Sequence, residues 1–174
     1  MELSTIIYAL QIITITGSIF IGGLSSTLSL WIIPLTLYLP PFLATSQFKR
    51  TVTWGFRYLQ PSSRLLMALY LTTTFLTWQS APSNDAAKWK TWALCTCALG
   101  SLAPYEIYFI FPVNDRVEEI RRKLEKEERG SGKGDERYKE ELDGLLRTWQ
   151  ARNFGRVGVP VLVGVVGMMN LIDR

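Results

Sequence analysis

Histidine is absent from this chain, and cysteine occurs only at Cys95 and Cys97. Without His, neither a Ser-His-Asp triad nor a Cys-His pair can be assembled. Zinc, haem and non-haem iron sites lean on the same residue types, so no bound metal is expected. The two cysteines lie two apart in an apolar segment. On a helix they point about 200° apart, which disfavours a mutual bridge, and they read as small helix residues. Charge is missing over long stretches as well: there is none from Leu3 to Phe48 and none from Leu65 to Asn84. Uncharged apolar runs of that length argue for membrane spans rather than a soluble core. The N-terminus lacks the basic region and small-residue cleavage site of a signal peptide, so the first run is expected to be retained. There is also no basic stripe interleaved with aromatics. The net charge of +4 therefore reports orientation in a membrane, and nucleic acid is not an expected partner.

The mean hydropathy of +0.13 averages two unlike parts, an apolar one and a densely charged one from Arg116 to Arg156. The pattern predicts an all-α protein: a four-span transmembrane helical bundle with an extramembrane amphipathic hairpin between spans three and four. Residues 1–174 are expected to form one integral-membrane domain, with spans at about 5–30, 62–79, 91–111 and 157–172. Pro34, Pro40 and Pro41 are expected to end the first span. Ser18, Gly22, Ser25, Ser26 and Ser29 form a small-residue stripe suited to close helix packing. Residues 40–63 read as a loop whose Phe48, Trp54, Phe56 and Tyr58, mixed with Lys49, Arg50 and Arg57, suit the membrane interface. Pro61 is expected to start the second span, and Ala81 to Lys90 to form a polar turn.

The hairpin is expected over about residues 113–152. Its first helix carries Val117, Ile120 and Leu124 on one face, with Glu118–Arg122, Glu119–Lys123 and Glu125–Arg129 pairs on the other. Gly130 to Asp135 breaks the helix. Tyr138, Leu142, Leu145, Leu146 and Trp149 form the second stripe. The two basic regions, 40–63 and the hairpin, are placed in the cytosol by the positive-inside rule. A multi-pass protein of the endoplasmic reticulum is the default expectation.

Polar residues converge on one membrane edge. Tyr105, Glu106, Tyr108, Asn114 and Arg116 lie at the end of span three. Trp149, Asn153 and Arg156 fall at i, i+4 and i+7 at the start of span four. A carboxylate at membrane depth is costly and marks function. Together these groups suggest a pocket for an apolar molecule with a few polar handles.

The same residues carry a family resemblance. Pro104-Tyr105 followed by Pro112-x-Asn114-x-Arg116 resembles the P-Y-T … P-T-N-N-R signature of the small fungal anthrone oxygenases. Leu145-Leu146-x-x-Trp149-x-x-x-Asn153-x-x-Arg156 resembles their L-L-x-x-W-x-x-x-N-x-x-R. The opening span, with Gly22 and Pro34, is also similar. Where the family often has Thr, this chain has Glu106. The resemblance implies a membrane-embedded enzyme of secondary metabolism that oxidises a polyketide anthrone to an anthraquinone. Molecular oxygen is the co-substrate and no cofactor is bound. Such an enzyme needs a base, oxyanion stabilisers and a slot for flat rings. On this reading the catalytic residues are Glu106, Tyr105, Asn114 and Arg116, and the substrate-binding residues are Tyr108, Trp149, Asn153 and Arg156. The expected partners are a lipophilic substrate and membrane lipids. Two other readings use the same residues: a membrane-bound cyclase or isomerase with Glu106 as general acid, and a non-catalytic adaptor whose hairpin holds soluble pathway enzymes.

Overall fold

The computed structural model describes residues 2–80, 86–128 and 136–172, and every regular element among them is a helix. Helix α1 (Leu3–Thr27) runs through a π turn, Leu28–Ile32, into α2 (Ile33–Leu37). Helix α3 (Pro41–Ser80) follows, then α4 (Ala86–Gly100) and α5 (Leu102–Tyr105). A second π turn, Glu106–Ile110, leads into α6 (Phe111–Glu128). Helix α7 (Lys139–Ile172) ends the chain after a short 3₁₀ turn, Glu136–Tyr138. The predicted breaker at Gly130–Asp135, the Glu125–Arg129 pair and residues 81–85 of the predicted turn lie outside the described residues.

Two expectations about proline are corrected. Residues 40–63 are not a loop: they form the first half of α3, and Pro61 sits inside that helix rather than at its start. Pro41 opens the helix, where a missing N–H costs nothing. Ala44, Phe48 and Val52 then repeat at helical spacing toward a buried core. Neither Pro34 nor Pro112 ends a helix. Each follows a π turn by two residues, and each turn closes through a five-residue bond: Ile33 N–H to Leu28 O, and Phe111 N–H to Glu106 O. A proline ring normally collides with the carbonyl four residues back. The wider turn moves that carbonyl aside, so the helix passes the proline. The first helix ends at Leu37, where Lys139 Nζ donates to Leu37 O at 2.7 Å and to Leu39 O at 3.3 Å.

The residues group into two compact units. The first comprises Met1–Leu24, Leu59–Leu102 and Gly155–Arg174. Its core holds Ile15, Ile21, Leu66, Tyr70, Trp92, Cys95 and Val163. Small residues let helices touch: a Cβ on Gly22 would lie 2.6 Å from Val161 Cγ2, and one on Gly164 2.7 Å from Ile19 Cγ1. Polar side chains are buried inside this unit, including Gln11, Thr14, Ser18, Thr73 and Thr96. Ser18 Oγ and the Tyr70 hydroxyl share a 2.8 Å hydrogen bond. Its outer surface is apolar, with Phe20, Leu65, Leu71, Phe75, Leu94, Leu162 and Met169 exposed. Polar inside and apolar outside is the pattern of a lipid-facing bundle.

The second unit comprises Ser25–Tyr58 and Ala103–Phe154. Its core is conventional: Ile33, Ala44, Phe48, Ile110, Val113, Val117, Leu142, Leu146 and Trp149 are buried together. Trp149 bonds to Asn114 and Tyr138 to Glu127, so α6 and the first half of α7 run antiparallel. The exposed side of α6 carries the expected Glu118–Arg122 and Glu119–Lys123 pairs at 3.2 and 2.7 Å.

Among the described residues, three stretches are long and apolar enough to cross a membrane: Leu3–Leu37, Lys88–Glu127 and Lys139–Ile172. The protein is thus an all-helical chain with the helices of an integral membrane protein. The expected span at 62–79 lies within α3, where Arg64, Thr72, Thr73, Thr74, Thr77 and Gln79 dilute its apolar character.

Candidate functional site

One short segment of α7 holds both π turns in place. In the five-residue register, the partner of the Ser29 carbonyl would be Pro34, which has no N–H. The Gln150 side-chain amide supplies that bond instead, Nε2 donating to Ser29 O at 2.7 Å. Asn153 Nδ2 donates to Ser25 O at 3.0 Å and to Ser29 Oγ at 2.8 Å. At the second π turn, Arg152 Nη1 donates to Phe109 O at 2.9 Å, and the Tyr105 hydroxyl donates to Arg152 O at 2.6 Å. The sequence offered no sign of the roles of Gln150 and Arg152, because a π turn leaves no periodic trace. The small-residue stripe of α1 serves packing and this bonding: Ser18, Gly22, Ser25 and Ser29 are all buried.

In the same unit, a cleft of ≈ 370 Å³ lies between the first half of α3 and the start of α6. Its apolar lining includes Phe48, Val52, Phe56 and Phe111, with the Phe56 and Phe111 rings 5.8 Å apart. Its polar lining includes Lys49, Asn114, Asp115 and Glu118. Trp149, 2% exposed, stands behind it. The indole meets Phe48 edge-on at 5.5 Å and donates from Nε1 to Asn114 Oδ1 at 2.9 Å. That bond fixes which way the Asn114 amide turns. Glu118 accepts from Arg121 at 2.8 and 2.9 Å and also from Lys49 and Arg122. The Arg121 guanidinium, more than the other two cations, holds its carboxyl down to about 2. It stays ionised at neutral pH and is a poor proton acceptor.

The eight residues singled out from sequence fall in different settings. Asn114 lines the cleft, and Trp149 orients it. Asn153 is fully buried with its amide on Ser25 and Ser29. Tyr105 is half-buried, its hydroxyl committed to Arg152 and its ring 5.1 Å from Phe109. Glu106 opens the second π turn and is half-buried. Tyr108 is 73% exposed. Arg116 points outward into a bridge with Glu119 and Glu141, which raises its already high pKa through hydrogen bonds, Glu141 first. Arg156 is half-buried and belongs to the first unit. The α3 wall of the cleft was missed because that stretch read as a loop. The signal was there, since Phe48, Val52 and Phe56 are spaced four apart.

No curated protein and no solved structure matches the chain. A family model described as anthrone oxygenase matches residues 48–166, more than half of the chain and all of the cleft lining except Thr45. The chain belongs to the anthrone oxygenase family.

Proposed function

We propose that the protein oxidises a lipophilic polyketide anthrone to an anthraquinone, with molecular oxygen as co-substrate and no bound cofactor. The observation that carries this reading is the ring-lined cleft, which sets a fixed amide and a carboxylate side by side within the family-matched region. Phe48, Val52, Phe56 and Phe111 suit a flat tricyclic ring system. Asn114, whose Oδ1 is occupied by Trp149, presents its Nδ2 hydrogens to the enolate oxygen. Asp115 takes the proton from the ring methylene opposite the carbonyl. It takes that role in place of Glu106 because it lines the cleft, whereas Tyr105 and Asn153 bond to backbone at the π turns.

The resulting anthracenolate is electron-rich and transfers one electron to oxygen. The radical pair combines into a peroxide anion at the former methylene carbon, which takes back the proton held by Asp115 to give the hydroperoxide. Loss of water across the C–H and O–O bonds leaves the second carbonyl, so one oxygen atom enters the quinone and the other leaves as water. The protein contributes deprotonation, charge stabilisation and orientation.

The same reading keeps four membrane spans, with 62–79 crossing beside the three more apolar stretches. It places the α6–α7 hairpin outside the bilayer, on the cytosolic face of the endoplasmic reticulum, and gives residues 1–174 one membrane domain. Proton removal can be tested apart from oxygen chemistry. Under anaerobic conditions in D2O, the wild-type protein is expected to accelerate deuterium exchange at the anthrone methylene. Asp115→Asn is expected to lower that rate by about 100-fold, and Glu106→Gln by less than about 10-fold. Equal losses in the two variants would return the base role to Glu106, and no acceleration by the wild type would defeat the reading.

A further inference from the structure

We propose that the first half of α3 carries a binding stripe for anionic phospholipid headgroups. Arg50, Trp54 and Arg57 sit at i, i+4 and i+7, on one face of the helix, and all three are exposed. Trp54 is 56% exposed and stacks on Tyr58, with ring centroids 5.1 Å apart and planes at 11°. The Arg57 guanidinium lies 5.9 Å from the Tyr58 centroid. The stripe is thus two guanidinium groups flanked by two large amphipathic rings, the residue types that settle at headgroup level.

The cations of this stripe are treated differently from those nearby. Between Glu2 and Asp85 the chain has no Asp or Glu, so α3 carries no carboxylate to answer them. Lys49, one residue before Arg50, pairs with Glu118 at 3.3 Å. On α6, Arg116, Arg121, Arg122 and Lys123 all make ion pairs. Arg50 and Arg57 make none among the described residues. Planar guanidinium groups match phosphate geometry, and exposed aromatic neighbours hold them at the depth where lipid phosphates lie. The occupant that fits is a lipid with net negative charge, because a zwitterionic headgroup offers its own cation to the phosphate. This site stands apart from the oxidation chemistry and does not depend on it.

The full-length protein, reconstituted into vesicles of mixed phosphatidylcholine and phosphatidylglycerol, can be extracted gently and its retained lipids counted by native mass spectrometry. Wild type is expected to retain phosphatidylglycerol above its share of the bilayer. Arg50→Gln or Arg57→Gln is expected to reduce that enrichment roughly 5-fold, and the double variant to remove it. Arg147→Gln, an exposed cation on α7, is expected to leave it intact. The proposal is overturned if the double variant keeps the enrichment, or if Arg147→Gln lowers it equally. A double variant that keeps its lipid but sheds a co-purified acidic protein would also overturn it.

Discussion

The two units share the same helices but differ in what they bury. In the first, hydroxyls and an amide are inside while Phe, Leu and Ile face out, and glycines bring the helices together. In the second, Val, Leu, Ile and Trp fill a core and ionised pairs lie outside, beside exposed Leu30, Trp31 and Ile107. Lipid gives apolar side chains no reason to cluster, so close packing and hydrogen bonds must hold the first unit. The second adds an apolar core of the kind that burial from water stabilises. The ring-lined cleft belongs to the second unit, where charged and apolar groups meet. The proposed deprotonation of a greasy substrate would use that combination: rings that accept it and an ionised group beside them.

Substitutions can break this contrast in order of severity. Gly22→Val should be the most damaging, since the new side chain meets Val161 Cγ2 and Val157 O where no room exists. A loss of about 3 kcal/mol or more is expected, read as a collapse of the monodisperse peak in detergent. The same substitution at Gly144, where a Cβ meets nothing within 4 Å, should be close to neutral, so equal damage at both would refute close packing. Phe48→Ala removes a buried ring that touches Trp149 and is expected to cost about 3 kcal/mol in thermal or denaturant unfolding. Asn153→Ala leaves Ser29 Oγ and Ser25 O without their partner and should cost about 1–3 kcal/mol.

The smallest effect sharpens the electrostatic side. Glu118 has a folded pKa of about 2 against an ordinary value of 4.5. Its stabilisation is therefore complete above about 4.5 and disappears as pH falls through about 2. Glu118→Gln should lower the melting temperature at pH 6 and flatten its decline between pH 5 and pH 3. An unchanged acid profile would show that these ion pairs contribute nothing measurable.

Much of this was legible in the sequence, and the part that was not has one physical cause. Uncharged runs and i,i+4 patterns gave the helices, and short motifs led to Asn114, Trp149 and Asn153. Several prolines, however, were read as span boundaries. Pro34 and Pro112 are passed by π turns whose exposed carbonyl accounting depends on Gln150 and Arg152 more than a hundred and about forty residues away in the chain. No local pattern encodes a partner that distant. Misreading α3 as a loop then hid Phe48, Val52 and Phe56, and with them the cleft that makes Asp115 the neighbour of interest. The motif residues outside the cleft support the fold: Asn153 and Tyr105 hold backbone, and Arg116 braces α6 against α7.

The most direct measurement is oxygen uptake coupled to quinone absorbance, with the protein in microsomes and a tricyclic anthrone as substrate. The account predicts one oxygen consumed per quinone formed, well above an empty-vector control, and a loss of about 100-fold in Asn114→Ala at equal amounts of folded protein, since the buried Trp149 indole loses its acceptor. Uptake no higher than the control from a well-folded protein would contradict the account.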